Sequence, residues 1–304
     1  MKQNTISTQI SCRGVGLHTG NPIFMTLKPA PENHGIVFRR VDLDPVVTIA
    51  ANVFNVGETL LSTCLISNGV RVSTIEHLMS ALSALEIDNM IIDIDGPEVP
   101  IMDGSSAPFI FLVQSAGVAS QSAPKKVIVV KEEVKVEGEN GQYCQFKPSN
   151  EVSFNISTDF KHPHQCFGDK NQKVSFSFSF PRYYKEISRA RTFGFMSQYE
   201  ELRQRNLALG GGTHNAVVFD EFQVLNQGGL RFENEPIKHK LLDVIGDIYL
   251  AGAPIIAEFN GHKPGHFMNN KLLRALMSTE SAWDVVEVGE KLAEKYKANF
   301  AFAT

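Results

Sequence analysis

The sequence predicts an α+β fold of two related units, each packing its helices on a sheet, and three observations carry that expectation. Strand-like segments open each half of the chain, and an amphipathic helix follows them. An apolar strand and a second helix then close each half, in the same order both times. A polar stretch, Gln121-Ser122-Ala123-Pro124, lies between the halves and reads as a linker joining units that span 1–122 and 125–304.

In the first half, the β-branched and aromatic runs Ile23 to Leu27 and Ile36 to Arg39 predict strands. Thr74 to Leu85 has helical spacing of apolar residues, Met90 to Ile94 is an apolar strand, and Pro108 opens a helix that runs to Ala116. The second half repeats this with strands Lys126 to Val130 and Val174 to Phe180, a helix Pro236 to Ala251, a strand Ile255 to Phe259 and a helix Asn270 to Met277. The similarity is one of pattern, suggestive of duplication, without a residue-level repeat. One segment breaks the rhythm. Thr192 to Phe219 combines a helix-like run with the turn Gly210-Gly211-Gly212 and reads as an insertion, the kind of long excursion that is often functional.

Bulk properties narrow the function. A chain of 304 residues suits about two domains, and 43% hydrophobic with 20% charged residues is ordinary for a globular protein. The net charge of −4 lacks the basic excess that nucleic-acid binding requires. Cys12, Cys64, Cys144 and Cys166 are scattered with no C-x-x-C pair, which argues against a cysteine zinc module or a disulfide framework. Met1 to Cys12 has no apolar signal-peptide core. The longest apolar candidate, Ala107 to Ala119, falls short of the roughly 18–20 residues a membrane span needs. The expectation is a reduced, soluble, cytoplasmic monomer.

The chemistry concentrates on two helices. In Pro236 to Ala251, His239, Asp243 and Asp247 recur at i, i+4 and i+8, so they share one face of an otherwise apolar helix. His239 and Asp243 have the spacing of two metal ligands one turn apart, although H-x-x-x-D alone also describes a solvent-facing pair. Asp247 is suited to orienting a partner, with Gly246 leaving room beside it. In the other helix, Ser73 and Glu76 have the spacing of a capping box, a purely structural role. His77 sits among Ile75, Leu78, Met79, Ala81 and Leu82, where a satisfied core histidine is the ordinary reading. The equivalent position of the two helices changes that weighing. Packed face to face between the units, they bring His77 to His239 and Asp243, giving three N/O ligands, an open fourth position and Glu76 beside it as general base.

Three further histidines lie in loops. His266 and His262 share the turn Gly261 to His266, and spacing alone does not choose between them. His18 lies in the glycine-rich Gly14 to Gly20, read as a structural turn. Pro97 to Phe109 carries carboxylates read as structural, with Asp103 or its neighbouring serines capping the following helix. In the insertion, Phe193, Phe195, Met196, Tyr199, Leu202, Leu207 and Leu209 either form a satellite core or line a channel for an aliphatic ligand.

Over essentially its whole length the chain resembles the UDP-3-O-acyl-N-acetylglucosamine deacetylases, zinc amidases of early lipid A synthesis in Gram-negative bacteria. The resemblance rests on Gly14-Val15-Gly16-Leu17-His18-Thr19-Gly20, Ser73-Thr74-Ile75-Glu76-His77-Leu78 and Ile101-Met102-Asp103-Gly104-Ser105. It continues in Ser188-Arg189-Ala190-Arg191-Thr192-Phe193-Gly194, Gly229-Leu230-Arg231-Phe232-Glu233, His239-Lys240-Leu241-Leu242-Asp243 and Gly265-His266.

This resemblance implies helices sandwiched between two sheets, zinc held by His77, His239 and Asp243, Glu76 as base, and His266 as acid or oxyanion partner oriented by Asp247. It also implies that Thr192 holds the reacting oxygen, that Lys240 and Lys263 lie near a diphosphate, that Phe160 contacts the nucleotide, and that the insertion around Phe193 forms an acyl passage. The implied partner is the acylated UDP-sugar, with no nucleic acid and at most transient membrane proximity. The donor set also suits iron(II). Two positions depart from the family pattern: Ser62 stands where cysteine is usual, and Thr213-His214-Asn215 departs near the passage. The rival readings are a metal amidase of another substrate, for which the zincin H-E-x-x-H is missing, and a non-catalytic acylated-nucleotide binder with a structural metal.

Overall fold

A computed structural model describes residues 1–289. Two five-stranded sheets share one strand order. The first runs Ile10–Val15, Pro22–Pro29, Met90–Ile94, Ile36–Arg40, Val47–Ala50. The second runs Val134–Glu137, Tyr143–Lys147, Glu258–His262, Ser153–Ser157, Lys173–Ser177. In each, the central strand is last in sequence, antiparallel to one neighbour and parallel to the other. A central strand parallel to its neighbour needs a crossover, and in each half a helix lies in that crossover, Glu76–Ala84 in the first and Glu235–Ile248 in the second.

Six α-helices lie within the described residues: α1 Glu76–Ala84, α2 Ala107–Ala116, α3 Phe180–Glu186, α4 Met196–Gln204, α5 Glu235–Ile248 and α6 His266–Ser278. One hydrophobic cluster joins Met25, Phe38 and Ile92 of the first sheet, Leu78, Leu82, Leu241, Ile245 and Leu272 of the helices, and Phe146, Phe154 and Phe259 of the second sheet. The architecture is α+β, and the α1–α5 contact lies in that shared core. The two helices meet at Gly246, where an added Cβ would collide with the Glu76 carbonyl oxygen, so the close approach requires glycine.

Several expected elements are corrected. Gln121-Ser122-Ala123-Pro124 is no linker: it is the end of a strand, Val118–Pro124, antiparallel to Lys2–Ile6. Its polar composition suits a strand of alternating exposure, and its partner lies more than a hundred residues away, where local pattern does not reach. The strand expected to end at Phe180 stops at Ser177, because Pro181 fits the first turn of α3. The single strand Ile255 to Phe259 is two, Ile255–Ile256 beside Lys126–Val130 and Glu258–His262 in the five-stranded sheet. The last helix starts four residues early, at His266. Thr74 has φ +58°, outside the helical region, so α1 begins at Glu76. The capping box is absent: Ser73 Oγ donates to the Pro97 carbonyl and Glu76 faces inward. The Ser106 side chain does not cap α2, its hydroxyl lying 2.8 Å from Tyr183 Oη and donating to the Ser188 carbonyl; the neighbouring Ser105 Oγ accepts from the amide of Ala107, the first residue of α2, at 3.3 Å. Asp103 accepts from Ser105 N and Oγ and pairs with Arg231 at 2.8 Å.

The insertion does have a core of its own. Phe193–Phe195 lies parallel to Val217–Phe219, and Phe193, Phe195, Phe160 and Leu230 pack on Cys166, Phe167, Val217 and Phe219. Its glycine turn docks on the first glycine-rich loop, Gly210 N donating to the Leu17 carbonyl at 3.0 Å and Leu209 N to the His18 carbonyl at 3.1 Å.

A buried ionic knot fastens the strand that follows Val118–Pro124. Lys125 Nζ donates to both Asp88 oxygens at 2.8 and 2.7 Å and lies 3.7 Å from Glu86 Oε2. Burial nevertheless pushes the Glu86 carboxyl up to about 7, from 4.5, with Lys125 opposing. The folded chain therefore keeps a proton that the unfolded chain has released between those two values. Stability is expected to fall as pH rises through that window, by roughly 1–3 kcal/mol, and to level off above it. Denaturant melts at pH 5 and 7.5 check this: Glu86→Gln should flatten the difference, and an unaltered difference would assign it to other groups.

Candidate active site

The α5 ladder puts His239, Asp243 and Asp247 on successive turns of one buried face, and α1 offers Glu76 and His77 from its first turn. His77 Nε2 lies 3.6 Å and His239 Nε2 3.4 Å from Asp243 Oδ1, and the ligand atoms of all three fall within 4.8 Å of one another. His239 Nδ1 donates to the Ala190 carbonyl at 3.0 Å, which leaves the Nε2 lone pair facing Asp243. Asp243 Oδ1 is buried and has no hydrogen-bond partner among the described residues. A cation between the two rings would supply what that oxygen lacks.

The protonation states of His239 and Asp243 suit ligation; burial would lower the His77 imidazole, but Asp243 beside it raises it, so a cation would displace a proton there. Burial holds the His239 imidazole down to about 4, so it is neutral. Burial alone would raise Asp243, but His239 and His77 beside it hold the carboxyl well below the usual carboxylate range. Metal ligands need these deprotonated forms.

A second chain of groups runs alongside. Glu76 Oε2 accepts from the Thr63 amide at 3.0 Å, while Oε1 lies 3.7 Å from His266 Nε2. Burial pushes Glu76 up to about 7. His266 Nδ1 donates to Asp247 Oδ2 at 2.9 Å. Burial would lower His266, yet the Asp247 and Glu76 carboxylates outweigh it and lift the imidazole to about 10. Near neutral pH the pair is thus a carboxylate poised to take a proton and an imidazolium holding one.

These groups open onto a cavity of about 540 Å³. Glu76, His77, Thr192, His239, Lys240, Asp243, Lys263 and His266 line it, as do Phe160 and Phe193; Asp247 stands behind His266 instead. Thr192 is held by its amide to the Gly104 carbonyl at 2.8 Å, next to Arg191, which is clamped by the buried Glu235 at 2.8 Å. Lys240 Nζ sits 5.7 Å from the Phe160 ring centre, and burial lowers its pKa. Lys263 is paired with Asp159 at 2.7 Å. Of the competing histidines, His262 Nδ1 lies 2.9 Å from Ser157 Oγ and His18 Nδ1 accepts from Ala208 N at 3.4 Å; neither lines the cavity. Phe195 and Gln198 are the insertion's other contributions to the wall; Phe193 and Phe195 serve both the satellite core and the cavity, while Met196, Tyr199, Leu202, Leu207 and Leu209 belong to neither.

Sequence reasoning missed Thr63, Asn269, Glu235 and the Ala190 carbonyl. Each acts on a partner remote in sequence, and a polar residue in an ordinary loop or helix gives no local sign of that.

Two imidazoles and a carboxylate that converge on one point, with that point open to a large cavity, have the form of a catalytic metal site; a structural site would be closed on all sides. Comparison with known proteins narrows the class to the deacetylases, hydrolases of an amide. The chain belongs to the UDP-3-O-acyl N-acetylglycosamine deacetylase family, whose model matches residues 3–278. It is similar to the UDP-3-O-acyl-N-acetylglucosamine deacetylases of Cellvibrio japonicus, 52% identical over 94% of this chain and 93% of the relative, and Coxiella burnetii, 50% identical over the same shares. The enzyme of that name from Hahella chejuensis is 52% identical over 94% of each chain. No helix among the described residues is long and apolar enough to cross a membrane.

Proposed function

We propose that this chain removes the acetyl group from the 2-acetamido nitrogen of UDP-3-O-acyl-N-acetylglucosamine, a step of lipid A biosynthesis, with zinc held by His77, His239 and Asp243. The observation that carries the reading is the convergence of those three residues beside Glu76 and His266 on one cavity wall. A bound zinc ion supplies Lewis-acid polarisation of the amide carbonyl and acidifies the attacking water. Glu76 takes the water proton at Oε1, the oxygen left free by the Thr63 amide. His266, kept protonated by Asp247, steadies the developing oxyanion and gives its Nε2 proton to the departing nitrogen. The C–N bond breaks, and water's oxygen leaves in acetate while the sugar keeps a free amine. Thr192 offers its hydroxyl to the reacting oxygen. Lys240 and Lys263 are assigned to the diphosphate, Phe160 to the nucleotide, and Phe193 with Phe195 to the acyl chain. The reading treats the chain as a cytoplasmic monomer of two units that meet after the strand Val118–Pro124, the first contributing α1 to the site and the second α5 and the start of α6.

Acetate release from the acylated UDP-sugar, abolished by a chelator and restored by zinc, tests this. Binding without acetate release would leave only a carrier of the nucleotide, and recovery with iron(II) alone would change the metal. The acyl assignment makes its own prediction. Each methylene buried in the cavity contributes about 0.8 kcal/mol, so four favour acylated over unacylated substrate by about 10²-fold in kcat/KM. Phe195→Asp should shrink that preference. Equal wild-type rates on the two substrates would remove the acyl chain from this cavity.

A further inference from the structure

We infer that Thr63, which no part of the mechanism above uses as a reacting group, is the positioning residue that sets the proton acceptor and the proton donor relative to each other. The inference rests on the proposed roles of Glu76 and His266. Thr63 is buried and lies just before the strand Cys64–Ser67, in a loop tied to the start of α1 by a hydrogen bond from Ile75 N to its carbonyl at 3.5 Å. It donates twice, in two directions. Its amide gives a 3.0 Å hydrogen bond to Glu76 Oε2, and its hydroxyl a 2.6 Å hydrogen bond to Asp247 Oδ1.

The two bonds have separate consequences. Occupying Oε2 fixes the Glu76 carboxylate plane and leaves Oε1 as the oxygen facing the cavity, 3.7 Å from His266 Nε2. Occupying Asp247 Oδ1 prevents that carboxylate from rotating, so Oδ2 is the oxygen that meets His266 Nδ1, with Asn269 Nδ2 donating to the same Oδ2 at 2.8 Å. An imidazole whose Nδ1 proton is pinned this way presents Nε2 to the cavity in one orientation. A single residue therefore registers a group of α1 against a group of α5 and, through it, the first residue of α6. Either bond alone would satisfy a buried polar atom; together they link the two ends of the proton path.

Thr63→Val keeps the branched shape and the amide but deletes the hydroxyl. The expected result is a kcat lower by about 10–100-fold, the usual cost of removing a group that orients an active-site side chain. KM, metal content and melting temperature should stay near wild type, and Thr63→Ser should recover most of the rate. A double-mutant cycle guards against a folding defect: on an Asp247→Ala background, where the hydroxyl has lost its side-chain acceptor, Thr63→Val should cost under about threefold, given that coupled pairs are non-additive. Wild-type kcat in Thr63→Val, a loss that Thr63→Ser does not recover, or full additivity with Asp247→Ala would each overturn the inference. Glu76→Gln separates this from the reading beneath it. If that variant is inactive while Thr63→Val is not impaired, only the role of Thr63 fails; if Glu76→Gln is fully active, the assignment of the base fails.

Discussion

Replacing Glu76 by glutamine is expected to lower kcat by about 10²–10⁴-fold, the range for loss of a general base, with metal still bound. The amide side chain retains an oxygen for the Thr63 N–H and nearly the same shape, so the α1 terminus has no reason to move. It has no charge and no affinity for a proton. His77→Ala, His239→Ala and Asp243→Ala are expected to behave differently, since each leaves two donors for the ion and the site should empty. Metal analysis of the purified variants, alongside acetate release, distinguishes the two behaviours. Near-stoichiometric metal in any of the three alanine variants would take that residue out of the site, and a Glu76→Gln enzyme of normal rate would move the base elsewhere.

The other large effect is expected from one methyl group. In Gly246→Ala the new Cβ meets the Glu76 carbonyl oxygen, with the Ser80 amide nitrogen 3.1 Å away, and both are backbone that cannot rotate aside. Helices α1 and α5 must separate or tilt, at a cost of about 1–3 kcal/mol for overpacking. The geometry suffers more than the stability. His77 and Glu76 ride on one helix and Asp243 and Asp247 on the other, so a shift of about 1 Å spreads the ligand atoms and costs on the order of 10²-fold in rate. Thermal melts and metal titration of the variant measure both parts. Wild-type metal affinity and melting temperature would show that the helices tolerate the extra atom.

Much of this site was legible in the sequence because its residues break a local pattern. His239, Asp243 and Asp247 interrupt an apolar helix on one face, and Glu76 and His77 are the only titratable residues of a second, largely apolar helix, so both groups stand out. The repeated helix–strand–helix order was legible for the same reason, and the two sheets do share a strand order. What failed depended on contacts distant in sequence. Gln121 to Pro124 looks like a linker until Lys2–Ile6 is laid beside the strand it ends. Ser73 and Glu76 have capping-box spacing, yet the positive φ of Thr74 and the Thr63 amide turn Glu76 inward. His266 and His262 are equivalent by spacing, and only the fold sets one on the cavity and the other against Ser157. Loop and turn residues carry weak periodic signals, so the second set of groups around a site is the part a sequence conceals most.

The division of the ligands between α1 and α5 has a thermodynamic consequence. An ion held as proposed, by His77 from one half of the chain and by His239 and Asp243 from the other, would bind tightly only while α1 and α5 stay packed. By mass action, free metal at 100 times its Kd would add about 2.7 kcal/mol to the folded state, and a chelator would withdraw the same amount. Metal supply would then bear on how long the chain survives heat or protease as well as on how fast it turns over.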